Sequence, residues 1–231
     1  MITSRENEKL KLVRKLHERR WRDKLGLFVA EGEDLVDAAL DAGCEAVDLL
    51  VAGENVEPAL LADVSTLGHP PRVIGVFRRR EASDSADTRL ALWHVSDPGN
   101  VGALLRSADA FGAAVMLSDR CADPYGPKAL RAAMGSTFRV PLLGFDLPAG
   151  SVALVAQGGQ PLEEVELDRY STFVLGSERE GLPDELLARC DVQATISTSR
   201  VESLNVAMAG TIALYERRQF GGRSRRSRRR R

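Results

Sequence analysis

Residues 194–220 read ATISTSRVESLNVAMAGTIALYERRQF, and the two halves of this stretch differ in kind. The first half is rich in Ser and Thr and lacks any helix-favouring run, which predicts a loop following a short strand that ends near Ile196. From Asn205 onward, Val206, Ala209, Gly210, Ala213 and Leu214 fall at helical spacing. Small residues cover much of that helix surface, so a neighbouring element can approach it very closely. A polar loop entering such a helix gathers several backbone N–H groups at one point, the outline of a binding site.

The chain has 231 residues, enough for one large domain or two small ones with a real core. Its 44% hydrophobic and 28% charged residues are those of a soluble globular protein. No run of eighteen apolar residues occurs, and the start MITSRENEKLKL is charged with no apolar segment behind it. Secretion and membrane spanning are therefore disfavoured, and a cytoplasmic location is expected. Cys44, Cys121 and Cys190 are odd in number and widely spaced, as are His17, His69 and His94, so neither a disulfide framework nor a metal site is expected. Seven arginines lie between 221 and 231, and a formal charge of −1 for the whole chain leaves −8 on the rest. Charge is thus sorted into a mildly acidic body and a basic tail.

Outward from the opening stretch, strands and helices alternate twice. Residues 4–25 predict one amphipathic helix with Leu10, Val13, Leu16 and His17 on one face and Arg14, Lys15, Arg19, Arg20 and Arg22 on the solvated side. Strands at Phe28–Ala30, Val47–Val51 and Arg72–Phe77 alternate with helices at Asp34–Ala42 and Glu57–Val64, a small three-layer α/β module. The charged segment RRREASDSADT at 78–88 reads as a linker. Alternation then restarts, with strands at Leu90–His94, Ala114–Leu117, Arg139–Pro141, Val152–Ala156 and Phe173–Leu175 and helices at Val101–Gly112, Lys128–Met134 and Pro183–Arg189.

Three polar, Gly-containing loops follow apolar strands. DPGNVGALLRSADAFG, 97–112, opens with a tight-turn composition and carries Arg106 on the second turn of its helix. The residues alone leave Arg106 open between a surface arginine and a site residue. FVLGSEREGLPDEL, 173–186, brackets Ser177–Glu180 with Gly176 and Gly181, and glycine there permits close backbone approach to a ligand. The third loop is the opening stretch. No G-x-x-x-x-G-K-[ST] and no G-x-S-x-G occurs, and VALVAQGG at 152–159 is followed by no G-x-G-x-x-G, which disfavours NTPase, serine-hydrolase and dinucleotide sites.

Taken together, DPGNVGALLRSADAFG, the segment DPYGPKALRAAMGSTFRVPL from Asp123, GSEREGL from Gly176 and VESLNVAMAGTIALYE from Val201 resemble, in order and spacing, the motifs of the SpoU family of RNA ribose methyltransferases in the SPOUT superfamily. ITSRENEKLKLVRKL with FVAEGEDLV from Phe28 resembles that family's substrate-binding domain. The resemblance implies a C-terminal α/β trefoil-knot methyltransferase domain with a parallel sheet, preceded by a small α/β substrate-binding domain. The boundaries it implies are 1–80 for the RNA-binding domain, 81–89 for a linker, 90–220 for the knotted domain and 221–231 for a basic disordered tail. It also implies S-adenosylmethionine as cofactor, held by Leu175, Gly176, Glu178, Gly181, Ile196, Ser203, Leu204 and Asn205, with no metal. Arg106, Asn100, Ser203 and Asn205 match the family's catalytic positions. The implied partners are rRNA or tRNA and a second copy of the chain.

Methyl transfer to a ribose 2′-hydroxyl needs the oxygen held in line with the methyl group and a way to lose its proton. A guanidinium with a pKa above about 12 is a poor base, so Arg106 is expected to hold the adjacent phosphate and stabilise developing alkoxide charge. The basic N-terminal helix and the arginine tail can neutralise RNA phosphates. Ser197-Thr198-Ser199-Arg200 stands where the family carries Pro-Met and a Gly, and the loop is one residue short. That departure keeps two other readings open: an RNA-binding protein of the same fold with weak or no catalysis, and a base methyltransferase of the same superfamily.

Overall fold

A computed structural model describes residues 1–80, 86–201 and 203–228, with side chains described as far as 219. Of the linker expected at 81–89, residues 81–85 lie outside the described residues; of the tail expected at 221–231, residues 229–231 do, while 221–228 continue the last helix. The chain divides into two compact units, Met1–Glu81 with Asp123–Arg139, and Ala82–Ala122 with Val140–Arg231.

The first unit is built on β1 (Leu27–Glu31), β2 (Ala46–Val51) and β3 (Val73–Arg78) in the order β1-β3-β2. Both pairings are antiparallel. Helices α1 (Glu8–Leu16) and α4 (Pro58–Val64) bury Leu10, Val13, Leu16, Leu60, Leu61 and Val64 against Val29, Leu50, Ile74 and Val76. Strand alternation sends the intervening side chains to the other face, where Phe28 stacks on Phe77 and Phe138 and meets Tyr125 at a tilt, at centroid distances of 5.0–5.6 Å. Two of those partners arrive from the Asp123–Arg139 segment, which carries α6 (Pro127–Ala133) and a 3₁₀ turn at Ser136–Phe138. The strand expected at Arg139–Pro141 is instead this turn's end, and β6 begins at Leu142.

The single N-terminal helix expected over 4–25 is two. Glu18 is extended (φ −96°, ψ 131°), and α2 (Arg19–Leu25) starts after it. The cause is Arg22, expected on the solvated side but only 4% exposed. Its Nη1 donates to the Leu16 carbonyl at 2.6 Å, occupying the open end of α1, and Nε and Nη2 each donate to Asp123 Oδ2 at 2.7 Å. A fully paired arginine is one of the few ways to bury that side chain.

Glu31, at the end of β1, is the other buried charge of this unit. Ser65 Oγ (2.6 Å) and Thr66 N (2.8 Å) donate to its Oε2, Thr66 Oγ1 (2.7 Å) donates to Oε1, and His17 Nε2 lies 3.6 Å away. Burial pushes this carboxyl upward, but the polar contacts from His17, Ser65 and Thr66 outweigh it and hold the pKa down at about 2 against an ordinary 4.5. A carboxylate whose pKa is depressed by folding stabilises the fold above its unfolded pKa and loses that contribution as pH falls through the folded value. Glu31 is expected to contribute on the order of 3 kcal/mol above about pH 4.5, lost progressively toward pH 2. Urea unfolding across that window should show a steeper acid limb for the wild type than for Glu31→Gln.

The second unit carries seven strands, all parallel, in the order β6-β5-β4-β9-β7-β10-β8. They are β4 (Arg89–Leu92), β5 (Ala114–Leu117), β6 (Leu142–Gly144), β7 (Ser151–Leu154), β8 (Gln160–Pro161), β9 (Thr172–Leu175) and β10 (Val192–Thr195). The central strands β4, β9 and β7 are almost wholly buried, as a parallel sheet covered on both faces requires. One face packs Ala91, Met116 and Val174 against Leu147 and Leu186, the latter on the short helix α7 (Asp184–Leu187). The other is covered by α5 (Pro98–Phe111) and α8 (Val206–Arg228).

The small-residue face of α8 serves this intrachain packing. A Cβ on Gly210 would come within 2.4 Å of Leu104 Cδ2 on α5 and 2.9 Å of Leu175 Cδ1 on β9. Ala213 and Leu214 are buried beside it. Ser107 and Thr211 share a 2.7 Å hydrogen bond across the two helices, and Arg217 Nε donates to the Tyr170 carbonyl at 3.0 Å.

Candidate functional site

A cleft of about 640 Å³ opens beyond the carboxyl ends of the adjacent strands β9, β7 and β10. Ligands of open parallel sheets bind at that end, and the volume lies in the range of small-molecule sites. Leu154–Ala156 leave β7 into it, Leu175–Gly181 leave β9, and Ile196 and Thr198 follow β10. Ser203, Leu204, Asn205, Val206 and Ala209 close it from the start of α8. All eight positions expected to hold a cofactor, Leu175, Gly176, Glu178, Gly181, Ile196, Ser203, Leu204 and Asn205, are among its lining residues.

The β9 loop owes its shape to its two glycines. Ser177 and Gly181 exchange backbone hydrogen bonds of 3.1 Å each, closing the loop into a tight ring. Gly181 has φ +66°, in the left-handed region that glycine occupies at no steric cost. A Cβ on Gly176 would stand 2.2 Å from the carbonyl carbon of Gly181 and 2.7 Å from Leu182 N, so the ring can close only over a glycine. Ser177 Oγ accepts from Glu180 N at 3.1 Å.

The three loops are joined by a chain of amide hydrogen bonds. Asn205 Nδ2 donates to Asn100 Oδ1 at 3.0 Å, and Asn100 Nδ2 donates to Glu178 Oε1 at 2.9 Å. Asn100 is itself fixed at the head of α5, where Asp97 Oδ1 accepts its backbone N–H at 2.9 Å. Asn205 Oδ1 accepts from Ala207 N (2.9 Å) and Met208 N (3.3 Å) and so acts as the cap of α8. Two of the helix N–H groups that the sequence left open for a ligand are thus taken by the chain itself. Asn100 and Asn205, expected as catalytic contacts, are in this geometry the struts that orient Glu178 and the third loop.

Arg106 sits on α5 with its side chain exposed. It is not among the residues lining the cleft, and it makes no hydrogen bond or ion pair among the described residues. Ser203 lines the cleft and is exposed. Thr198, in the divergent part of the third loop, also lines it, and its Oγ1 donates to the Val201 carbonyl at 2.6 Å, turning the loop back on itself. The β7 contribution Leu154–Ala156 lies in VALVAQGG at 152–159, which the sequence offered only as a disfavoured dinucleotide turn. Gly159 lies so close to β10 that a Cβ there would meet the Ala194 backbone at 2.7–2.9 Å.

Other chemistry finds little support in this unit or the first. Among the described residues no three His, Cys, Asp or Glu side chains gather into a metal site. None of the three cysteines forms a disulfide among the described residues, and burial pushes the Cys190 thiol up to about 11, leaving little thiolate at neutral pH. No helix among the described residues is long and apolar enough to cross a membrane.

The model of the SpoU rRNA Methylase family matches residues 87–215, and that of the MRM3-like substrate binding domain matches residues 7–77. The chain is 32% identical over 244 residues to the 23S rRNA (guanosine(2553)-2′-O)-methyltransferase RlmP of Bacillus subtilis, covering 94% of this chain and 98% of that protein. It is 34% identical over 191 residues to the 23S rRNA (guanosine-2′-O-)-methyltransferase RlmB of Bordetella pertussis, covering 71% of this chain and 78% of that one. Among solved structures, the AdoMet-bound rRNA methyltransferase from Sinorhizobium meliloti superposes with a TM-score of 0.83 at 29% identity, over 94% of this chain and 97% of the other. With two of the family's motifs, around Gly176 and Ser203, lining one cleft and its model matching more than half of the sequence, the chain belongs to the SpoU rRNA methylase family.

Proposed function

We propose that the protein transfers a methyl group from S-adenosylmethionine to a ribose 2′-hydroxyl of RNA, with ribosomal RNA as the substrate class. The observation that carries this reading is the cleft at the ends of β9, β7 and β10, two of whose walls, carrying Glu178 and Asn205, are tied together through Asn100 at the head of α5. Named relatives that methylate 23S rRNA at the 2′-oxygen support the choice of RNA and of acceptor atom.

The residues present fit the cofactor. The ring at 176–181 brings bare backbone to the cleft wall, suited to an adenosine moiety, and Leu154, Leu175, Leu204 and Val206 supply apolar surface beside it. Bound S-adenosylmethionine supplies an electrophilic methyl group on a cationic sulfonium. Glu178, held by Asn100, sets a carboxylate on the cleft wall that favours a cation there over a neutral product. Ser203 stands at the edge of the cleft, where its hydroxyl can orient the ribose. Arg106, outside the cleft and with all its donors open to an incoming ligand, holds the phosphate beside the target ribose and stabilises charge on the 2′-oxygen as its proton leaves.

Residues 1–80 act as the RNA-binding domain and 90–220 as the methyltransferase domain. The return of α8 from β10 to Leu90, Leu104 and Leu175 supports a chain that threads its own loop as a trefoil knot. Met208, Ile212 and Tyr215 share one side of α8, with Met208 61% and Tyr215 50% exposed. An apolar stripe of this kind suits burial against a second copy of the chain. The bacterial relatives named for 23S rRNA methylation support a cytoplasmic location.

The test is methyl transfer from labelled S-adenosylmethionine into total RNA, with the modified nucleotide mapped by nuclease digestion and mass spectrometry. A 2′-O-methylated nucleotide in ribosomal RNA is the expected product. A methylated base, or a chain that binds RNA and gives no saturable heat with S-adenosylmethionine, overturns the reading.

A further inference from the structure

On the first unit, Trp21 is ringed by cations. Lys24 Nζ lies 5.3 Å from the centre of its ring, Lys15 Nζ 5.4 Å and the Arg20 guanidinium carbon 5.6 Å. The residue that α2 buries is Arg22, so Trp21 rides the flank of the helix, half-buried with part of the indole at the surface. Nearby acids are already engaged. Glu18 pairs with Arg20 at 2.7 Å, and Asp23 pairs with Arg79 at 2.8 Å and with Arg19 at 3.5 Å. Lys15 and Lys24 have no carboxylate partner among the described residues. The patch therefore combines a flat π surface with two uncompensated ammonium groups.

A tryptophan needed only for packing would sit with its ring turned inward and would gain little from three cations around it. A half-buried ring flanked by lysines with no carboxylate partner among the described residues matches what unpaired RNA presents: a base with two π faces on a chain of phosphates. Paired RNA offers phosphates, 2′-hydroxyls and base edges but no base face, because its bases are stacked on each other and cannot reach a side-chain ring. We infer that Trp21, with Lys15 and Lys24, forms a stacking platform that binds an unpaired nucleotide of the RNA substrate. The inference rests on the proposal that RNA is the substrate, and it narrows that class to RNA with a single-stranded loop, bulge or end at the contact.

The experiment titrates the full-length protein with a short single-stranded RNA and with the same strand annealed to its complement, following tryptophan fluorescence. The chain has two tryptophans, Trp21 and Trp93, so Trp21→Phe removes one reporter and keeps a stacking ring. Expected is quenching by the single strand and not by the duplex, loss of that quenching in Trp21→Phe with binding retained, and about tenfold or greater weakening in Trp21→Ala. In the Lys15→Gln/Lys24→Gln variant the slope of log affinity against log salt should fall by about 1.4, from two phosphate contacts at about 0.7 each. Equal affinity of Trp21→Ala and wild type for the single strand overturns the platform. If Trp21→Ala fails to fold, an unchanged salt slope in the lysine variant does so. Labelled methyl transfer run alongside separates the two claims: an enzyme that methylates RNA equally well as wild type and as Trp21→Ala overturns the platform alone. A chain that stacks RNA and transfers no methyl group overturns only the functional proposal.

Discussion

Arg106→Ala is expected to lower methyl transfer by about 10²–10³-fold, the loss typical of removing one donor from a developing oxyanion, while leaving S-adenosylmethionine affinity within about twofold, well inside the 1.4 kcal/mol that a tenfold change represents. The separation follows from geometry: Arg106 is exposed on α5 and contributes nothing to the walls of the cleft. Arg106→Lys should be nearly as slow, because an ammonium keeps the charge and loses the planar fork that holds phosphate through two donors. Stability should change little in either variant, since the side chain makes no hydrogen bond or ion pair among the described residues. Single-turnover methyl transfer, with calorimetric titration of the cofactor on the same variants, reads both quantities. A parallel loss of cofactor binding would show that Arg106 belongs to the cleft and would remove the phosphate-holding role assigned to it.

Much of this arrangement is written in local chemistry that a reader of the sequence can decode. Asp97-Pro98-Gly99-Asn100 announces a helix start, and in the structure Asp97 caps α5 with Pro98 in its first turn. Gly176 and Gly181 announce a loop that must pass close to something, and the something is the loop's own far side. The apolar runs at 90–92, 152–154 and 172–175 announce strands, and these form the middle of the seven-stranded parallel sheet.

What escaped reading depends on partners distant in sequence. Arg22 looks like one more surface cation until Asp123, 101 positions away, and the Leu16 carbonyl engage it. The segment Asp123–Arg139 lies between strands of the second unit in sequence, yet Tyr125 and Phe138 pack their rings on Phe28 of the first. Nothing in its periodicity distinguishes a helix packed on its chain neighbours from one packed on a strand 97 to 110 positions earlier. Gly210 and Ala213 signal close approach correctly but not to what, and α5 and the sheet take up that face. The site shows the same division: the residue types around the cleft are local signals, whereas the bonds from Asn205 to Asn100 to Glu178 span 105 and 78 positions and exist only in the fold.

Gly176→Ala and Gly181→Ala, five positions apart in one loop, are expected to differ widely for that reason. Gly181 has φ +66° with open space where a Cβ would stand, so alanine there costs only its strained backbone, about 1–2 kcal/mol. Gly176 has an ordinary φ, but its Cβ would stand 2.2 Å and 2.4 Å from the carbonyl carbon and oxygen of Gly181, and these are backbone atoms that no rotamer change can move. Relief requires opening the ring, breaking the paired 3.1 Å bonds between Ser177 and Gly181 and withdrawing Glu178 from Asn100. The cleft then loses the wall proposed to face the adenosine, and S-adenosylmethionine affinity should fall by more than about a hundredfold, the equivalent of roughly 2.7 kcal/mol. Gly181→Ala should retain cofactor affinity within about tenfold, because its ring can still close. Calorimetric titration of both variants, with circular dichroism to establish that each is folded, measures the contrast. Similar affinities in the two would mean that the ring at 176–181 does not form the cofactor wall.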